Sequence, residues 1–215
     1  MVGELDKAAA LNSRLLTLVQ VELQTAPAPV AFFLDDLVET VLHRWEPTAD
    51  REWTRATSAG VMLGNPERLE AALDCLVENA VKFTDEGDVI GIEAHVDDGE
   101  VVLSVSDSGT GIPQEDVARV FDTFQTGSAA RDRAGSGLGL SIVAAIVEAQ
   151  NGTVEVDSVV GSGTRFTIRC PASGSGGRRD AVIAGDSPDS GQAASVRGRS
   201  ARGIVRMSAK VSRAT

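Results

Sequence analysis

Tyrosine is absent from the 215 residues, and aromatic residues together make up only 4%. Any core must therefore be built from Val, Leu, Ile and Ala, which the 42% hydrophobic content permits. There are two cysteines, Cys75 and Cys170, with no CxxC pairing and no ligand-like neighbours. That pattern points to two buried, reduced thiols rather than a disulfide framework or a thiolate metal site. Only two histidines occur, His43 and His95. No run approaches the ~18 apolar residues of a membrane span, and the acidic start at Glu4 and Asp6 differs from a signal peptide. The chain is expected to be soluble and cytoplasmic, or to lie at the inner face of a membrane were the full-length protein to carry transmembrane segments. Positive charge is also scarce: the net charge is −11. Residues 173–215 hold eight Lys/Arg against three Asp/Glu, a local +5, so the remainder carries −16. An acidic body argues against a nucleic-acid surface, which needs clustered Lys and Arg to displace counterions.

What is present falls into three parts. Residues 4–23 read as a helix, with Ala8, Leu11, Leu15 and Leu18 on one stripe and Lys7, Asn12, Arg14 and Gln20 off it. The stripe has no partner within its own segment and is expected to pair with another helix. Pro27 and Pro29 break it. A compact domain then fills Pro29–Pro171. Its predicted elements are a strand over Val30–Phe33, a helix over Asp35–Trp45, and two strands between Glu52 and Leu63. Asn65-Pro66 starts a helix that ends near Phe83: the Asn side chain can accept a free backbone N–H, and Pro fits the first turn. Ile90, Ile92, Ala94 and Val96 alternate, as do Val101, Leu103 and Val105, around the turn Asp97-Asp98-Gly99, which is a hairpin pattern. A glycine-rich stretch from Asp107 to Leu140 leads into a helix ending near Gln150. A final hairpin, Thr153–Asp157 with Thr164–Cys170, closes around Gly161-Ser162-Gly163. From Ala172 onward there are seven Gly, eight Ser and no aromatic residue. Such a segment buries too little apolar surface to offset its ordering entropy, so disorder is expected.

Three stretches carry possible chemistry. Asn79 and Lys82 lie three apart on one helix face; an amide oxygen suits Mg²⁺ and an ammonium suits phosphate. A solvated polar patch would explain that pair equally well. Asp107-Ser108-Gly109-Thr110-Gly111-Ile112-Pro113 follows an apolar strand. Its alternate glycines let backbone approach a ligand closely, and its carboxylate can accept from the exocyclic amine of adenine; a tight turn with a solvated Asp is the plain alternative. Gly135-Ser136-Gly137-Leu138-Gly139-Leu140-Ser141 crowds glycines at a helix start, where free N–H groups favour phosphate. No Gly-Lys-Ser/Thr follows, so it is not a Walker loop. The strand–turn–helix unit of a dinucleotide fingerprint is missing as well.

Taken in order, Asn79-x-x-Lys82, Asp107-x-Gly109-x-Gly111, Phe121-x-x-Phe124, Gly135-x-Gly137-x-Gly139 and Gly161-x-Gly163-Thr164 resemble the asparagine, first glycine, phenylalanine, second glycine and third glycine boxes of two-component sensor histidine kinases. The flanks Gly64–Leu69 and Asn79–Thr84 are similar to that family too, and the resemblance covers roughly residues 1–170. It implies an α/β two-layer sandwich of the Bergerat (GHKL ATPase) type: a mixed sheet with helices on one face, preceded by one helix and followed by the disordered tail. The implied domains are 1–24, the second helix of a dimerising phosphoacceptor hairpin; 27–171, the ATP-binding catalytic domain; and 172–215, the basic Gly/Ser-rich tail. ATP and Mg²⁺ are the implied cofactors. By position, Asn79 would hold Mg²⁺, Lys82 would touch phosphate and Asp107 would read the adenine amine. Gly109 and Gly111 would line the base pocket, and Gly135, Gly137 and Gly139 would close a lid over roughly 122–136, anchored by Phe121 and Phe124. Ile112, Leu138 and Thr164 complete the expected nucleotide contacts.

The chain departs from the family in three places. A second Asn usually stands where this sequence has Cys75, and related ATPases of the gyrase and chaperone type carry a general-base Glu there. After Phe124 come Gln125 and Thr126 instead of an aromatic and a cation. The phosphoacceptor His followed by Glu or Asp is absent: His43 and His95 lie in the wrong context. The leading expectation is a protein-histidine kinase that passes the ATP γ-phosphoryl to a histidine not in this chain, upstream in cis or in trans. Its partners would be that phosphoacceptor domain and a response regulator, with homodimerisation if the hairpin is complete and no nucleic acid. Two alternatives stand beside it: a non-catalytic nucleotide-binding module that docks on another kinase, and an anti-sigma-factor-type serine kinase.

Overall fold

The computed structural model describes residues 28–123, 137–172 and 205–209. The helix expected over residues 4–23, most of the lid, and Phe124 and Gly135 lie outside these residues. Within them the chain runs β1 (Val30–Phe33), α1 (Leu34–Trp45), a 3-10 turn (Glu46–Thr48), β2 (Glu52–Ser58), β3 (Val61–Gly64), α2 (Pro66–Phe83), β4 (Val89–Asp97), β5 (Glu100–Asp107), α3 (Gln114–Val117), α4 (Gly139–Ala149), β6 (Thr153–Val159), β7 (Gly163–Pro171) and β8 (Val205–Ala209).

β1 and β3 form a separate antiparallel pair. The main sheet has the order β2-β4-β5-β7-β6-β8. β2 is parallel to β4 and every other pairing is antiparallel, so the sheet is mixed. Alternation assigns its faces. Ile90, Ile92 and Ala94 of β4, Val101, Leu103 and Val105 of β5, Val154 and Val156 of β6, and Phe166, Ile168 and Cys170 of β7 are buried in one core with the helices. The residues between them are more polar; Arg165 on β7 donates to Glu93 at 2.8 Å and to Ser104 at 3.0 Å on that other face. The two-layer architecture matches the expectation.

The helices form as their patterns dictate. α1 buries Leu34, Leu37, Val38, Val41 and Leu42. α2 buries Leu69, Ala72, Leu73, Cys75, Leu76, Val77 and Ala80, a near-continuous stripe at helical spacing. Asn65 caps α2 by accepting from the Arg68 N–H at 3.0 Å, with Pro66 in the first turn. α4 ends where Asn151 takes φ 56°, and the Gly152 N–H closes back on the Val147 carbonyl at 2.9 Å. Both cysteines are free and buried, as expected.

Within the region beyond Ala172, Val205–Ala209 form β8, which pairs with β6 from Ser158↔Val205 to Val154↔Ala209. Val205, Met207 and Ala209 alternate with Arg206 and Ser208, a strand pattern that the Gly/Ser content of its surroundings conceals.

Candidate functional site

The site forms where the C-terminal ends of α2 and β5 meet the start of α4 and the β6–β7 turn. Asp107 is the last residue of β5. Its Oδ1 accepts the N–H of Gly109 at 2.9 Å and that of Thr164 at 3.3 Å. Oδ2 makes no contact of this kind among the described residues. Burial pushes the carboxyl above the usual carboxylate range; the two backbone N–H groups pull it back, and nearby Asp88 adds to the rise. An acceptor that is partly desolvated, held rigid through one oxygen and open at the other suits a directed hydrogen bond from a ligand donor.

The glycines around it answer first to internal sterics. A Cβ on Gly109 would stand 2.1 Å from the Phe83 carbonyl oxygen at the end of α2. One on Gly111, at φ 68°, would stand 2.2 Å from the Val159 carbonyl oxygen. The loop is thus pressed between α2 and the end of β6, and hydrogen bonds lock it there. The Thr110 N–H donates to the Phe83 carbonyl at 3.1 Å, and the Gly161 N–H donates to the Thr110 carbonyl at 2.9 Å. The Ile112 N–H donates to Ser158 Oγ at 2.8 Å. Ser158 Oγ in turn donates to the Gly163 carbonyl at 3.0 Å and lies 3.0 Å from the Thr164 hydroxyl. Sequence reasoning did not single out Ser158. The signal that could have found it is a hydroxyl at the third inward position of a strand whose first two are Val154 and Val156.

Asn79 and Lys82 share α2, and α4 approaches them: a Cβ on Gly139 would lie 3.9 Å from Asn79 Nδ2 and 3.8 Å from Cys75 Cβ. No side chain caps the N-terminus of α4, so the first-turn N–H groups and the positive end of the helix dipole lie beside Asn79. Gly137, at φ 67°, leads into that turn in a conformation glycine adopts without strain. The Lys82 ammonium sits 4.9 Å from the centre of the Phe83 ring. Leu138 is fully buried; its side chain is core, and its carbonyl accepts from Ser141 Oγ at 2.9 Å. Phe121 meets Phe166 edge to face, with centroids 6.2 Å apart. The predicted residues thus gather into a carboxylate corner (Asp107, Gly109, Gly111, Ile112, Thr164) and a helix-end corner (Asn79, Lys82, Gly137, Gly139). Phe121 belongs to the core margin near the carboxylate side. His43 and His95 are both exposed, on α1 and β4.

Among the described residues no group of three or more His, Cys, Asp or Glu could hold a metal ion, and no helix is long and apolar enough to cross a membrane.

Residues 64–174 match the family model described as histidine kinase-, DNA gyrase B-, and HSP90-like ATPase. The chain is 43% identical over 112 residues to the sensor protein DivL of Caulobacter vibrioides, covering 52% of this chain and 14% of that protein. It is 39% identical over 113 residues to the sensor histidine kinase RcsC of Escherichia coli, covering 52% of this chain and 12% of that protein. The chain therefore spans less than a fifth of the length of these curated relatives. Among solved structures, the histidine kinase AdeS of Acinetobacter baumannii superposes with a TM-score of 0.67 at 26% identity, covering 80% of this chain and 81% of that one. Full-length ShkA in complex with AMPPNP gives 0.66 at 29% identity, covering 77% of this chain and 36% of that one.

Proposed function

Because the chain belongs to the histidine kinase-, DNA gyrase B- and HSP90-like ATPase family, we propose that it is the ATP-binding catalytic part of a sensor histidine kinase. The observation that carries the reading is the Asp107 carboxylate, fixed through Oδ1 by the Gly109 and Thr164 N–H groups. Its other oxygen fits the exocyclic amine of adenine, where guanine carries a carbonyl. Gly109, Gly111 and Ile112 bound the base, and the uncapped start of α4, with Gly137 and Gly139, receives the phosphates. The Lys82 ammonium supplies positive charge from α2. The donor set fits a magnesium ion that keeps most of its ligands as phosphate oxygens and water: Asn79 offers one amide oxygen beside the α4 N-terminus. Such an ion would neutralise charge between the phosphates.

In the transfer, an imidazole nitrogen of the acceptor forms a bond to the γ-phosphorus as the bond to the ADP oxygen breaks. Such a reaction needs positioning and charge stabilisation more than covalent help, and this set of residues offers both. The acceptor is a histidine of a phosphoacceptor domain, upstream in cis or on another chain, and a response regulator receives the group in turn. Dimerisation through a helical hairpin would bring the parts together. The similarity to ShkA, whose structure was determined with AMPPNP, supports the nucleotide assignment.

A second reading, nucleotide binding without transfer, is favoured by Cys75. It lies buried against the start of α4, where a thiol offers Mg²⁺ a poor ligand.

Calorimetric titration with ATP, with and without Mg²⁺, tests the proposal. Magnesium-dependent binding is expected, weakened about 10- to 100-fold in Asp107→Asn. No heat and no displacement by ADP in a demonstrably folded sample would overturn it. Binding without transfer to a supplied phosphoacceptor domain would favour the second reading.

A further inference from the structure

β6 and β2 flank the family-type sheet β2-β4-β5-β7-β6, and β6 does not stay an edge: β8 adds to it. The register of that addition is informative. Met207 stands opposite Val156 and Ala209 opposite Val154, while Arg206 stands opposite Asp157. Asp157 in turn stands opposite Arg165 of β7. A slip of one residue would set Arg206 against Val156 or Ser158 and lose both matches. The alternation of the two sequences is thus in step in this register and out of step one residue to either side. The acidic body and basic tail add long-range attraction of the same sign.

β7 ends at Pro171, past the Thr153↔Arg169 pair, whereas β8 starts opposite Ser158 on the far side of β6. The two strand ends are therefore about seven strand residues apart along β6 and two strand spacings across it, roughly 25 Å. The 32 residues from Ser173 to Ile204 are rich in Gly and Ser, and a chain of that composition and length has a typical span of ~30 Å. An intramolecular strand at that tether length acts at an effective concentration near the millimolar range, well above that of a second copy at micromolar protein.

We propose that the outer edge of β6 is a strand-acceptor site for a basic, alternately apolar segment, filled in cis by Val205–Ala209, and that this segment braces Ser158. Ser158 is the last β6 residue paired with β8, and it is the residue whose hydroxyl holds the Ile112 N–H. Covering β6 therefore steadies the strand that anchors the loop after Asp107. It also removes an open edge that would invite pairing with other chains. A foreign strand of the same pattern would compete for the site.

The test uses the full-length chain with the double substitution Arg206→Pro/Met207→Pro. In an antiparallel ladder alternate residues bond to a given neighbour, so one of two consecutive N–H groups must face β6, and proline removes it. Hydrogen exchange is measured on both proteins. The β6 amides that face away from β7 are expected to exchange about tenfold faster in the variant, with a rise at Ile112 and none in α2. A labelled peptide of residues 203–211 is expected to bind the variant saturably and the wild type not at all. Identical exchange in the two proteins overturns the acceptor site. Faster β6 exchange with Ile112 unchanged overturns the brace. A wild-type dimer by light scattering that the variant loses overturns the cis assignment in favour of exchange between copies.

Discussion

Asp107 combines burial with function in one side chain. A carboxyl whose folded-state pKa lies above its unfolded value costs the fold stability when ionised. The cost is complete above both values and fades as pH falls through the raised value towards the ordinary one. Since burial raises Asp107, Asp107→Asn is expected to gain stability relative to wild type at neutral pH, with the gap narrowing in urea melts run below the ordinary Asp range. ATP affinity should show the opposite preference. The ionised acceptor binds the amine, so affinity falls as pH drops through the raised pKa while the fold persists. Gly109 tolerates no side chain: with the Phe83 carbonyl 2.1 Å from a Cβ, backbone must shift, and Gly109→Ala is expected to cost about 2–4 kcal/mol in denaturant unfolding. Cys170 has its thiol pushed up to about 12 by burial. It is expected to resist alkylation at pH 8 in the native protein and to react only after unfolding, as mass spectrometry would register.

At the scale of elements, α2 carries most of the argument. Its cap, its first-turn proline and its apolar stripe are local features, so its bounds could be read from the chain: Asn65 at one end, Phe83 at the other. Asn65→Ala is expected to cost about 1 kcal/mol in thermal or urea melts, and truncation of its core residue Leu73 to Ala about 2–5 kcal/mol. The β4–β5 hairpin was equally legible, because a turn signal joins two alternating runs. The pairings β1 with β3 and β2 with β4 were not, because neither the partner nor the register of a non-local strand is encoded in its own few residues. The strand Val205–Ala209 is hard to read from the chain for a related reason. The composition of the forty-odd residues around it outweighs a five-residue alternation, and only the edge of β6 gives that alternation a use. Leu138 sits inside a glycine box yet belongs wholly to the core; a motif fixes where the backbone goes before it fixes what each side chain does.

For the whole molecule, charge and core follow directly from composition. With a sequence pI near 4.6, the protein is expected to be least soluble around that pH, as turbidity would reveal, and to be kept in solution at neutral pH by its excess of carboxylates. The core formed almost entirely from aliphatic residues, as the scarcity of aromatics required; Phe166 is the one aromatic among its buried members in the described residues. By itself the sequence determined the helices, the hairpins, the order of the motif boxes and the kinds of chemistry they offer, because periodicity, caps and turn residues act within a few positions of the chain. The tertiary structure alone decided that Gly139 would lie over Asn79, that Ser158 would clasp the loop after Asp107, and that a tail strand would close the edge of β6. These contacts join residues 46 to 60 positions apart, and they exist only once burial of the apolar faces has brought their elements together.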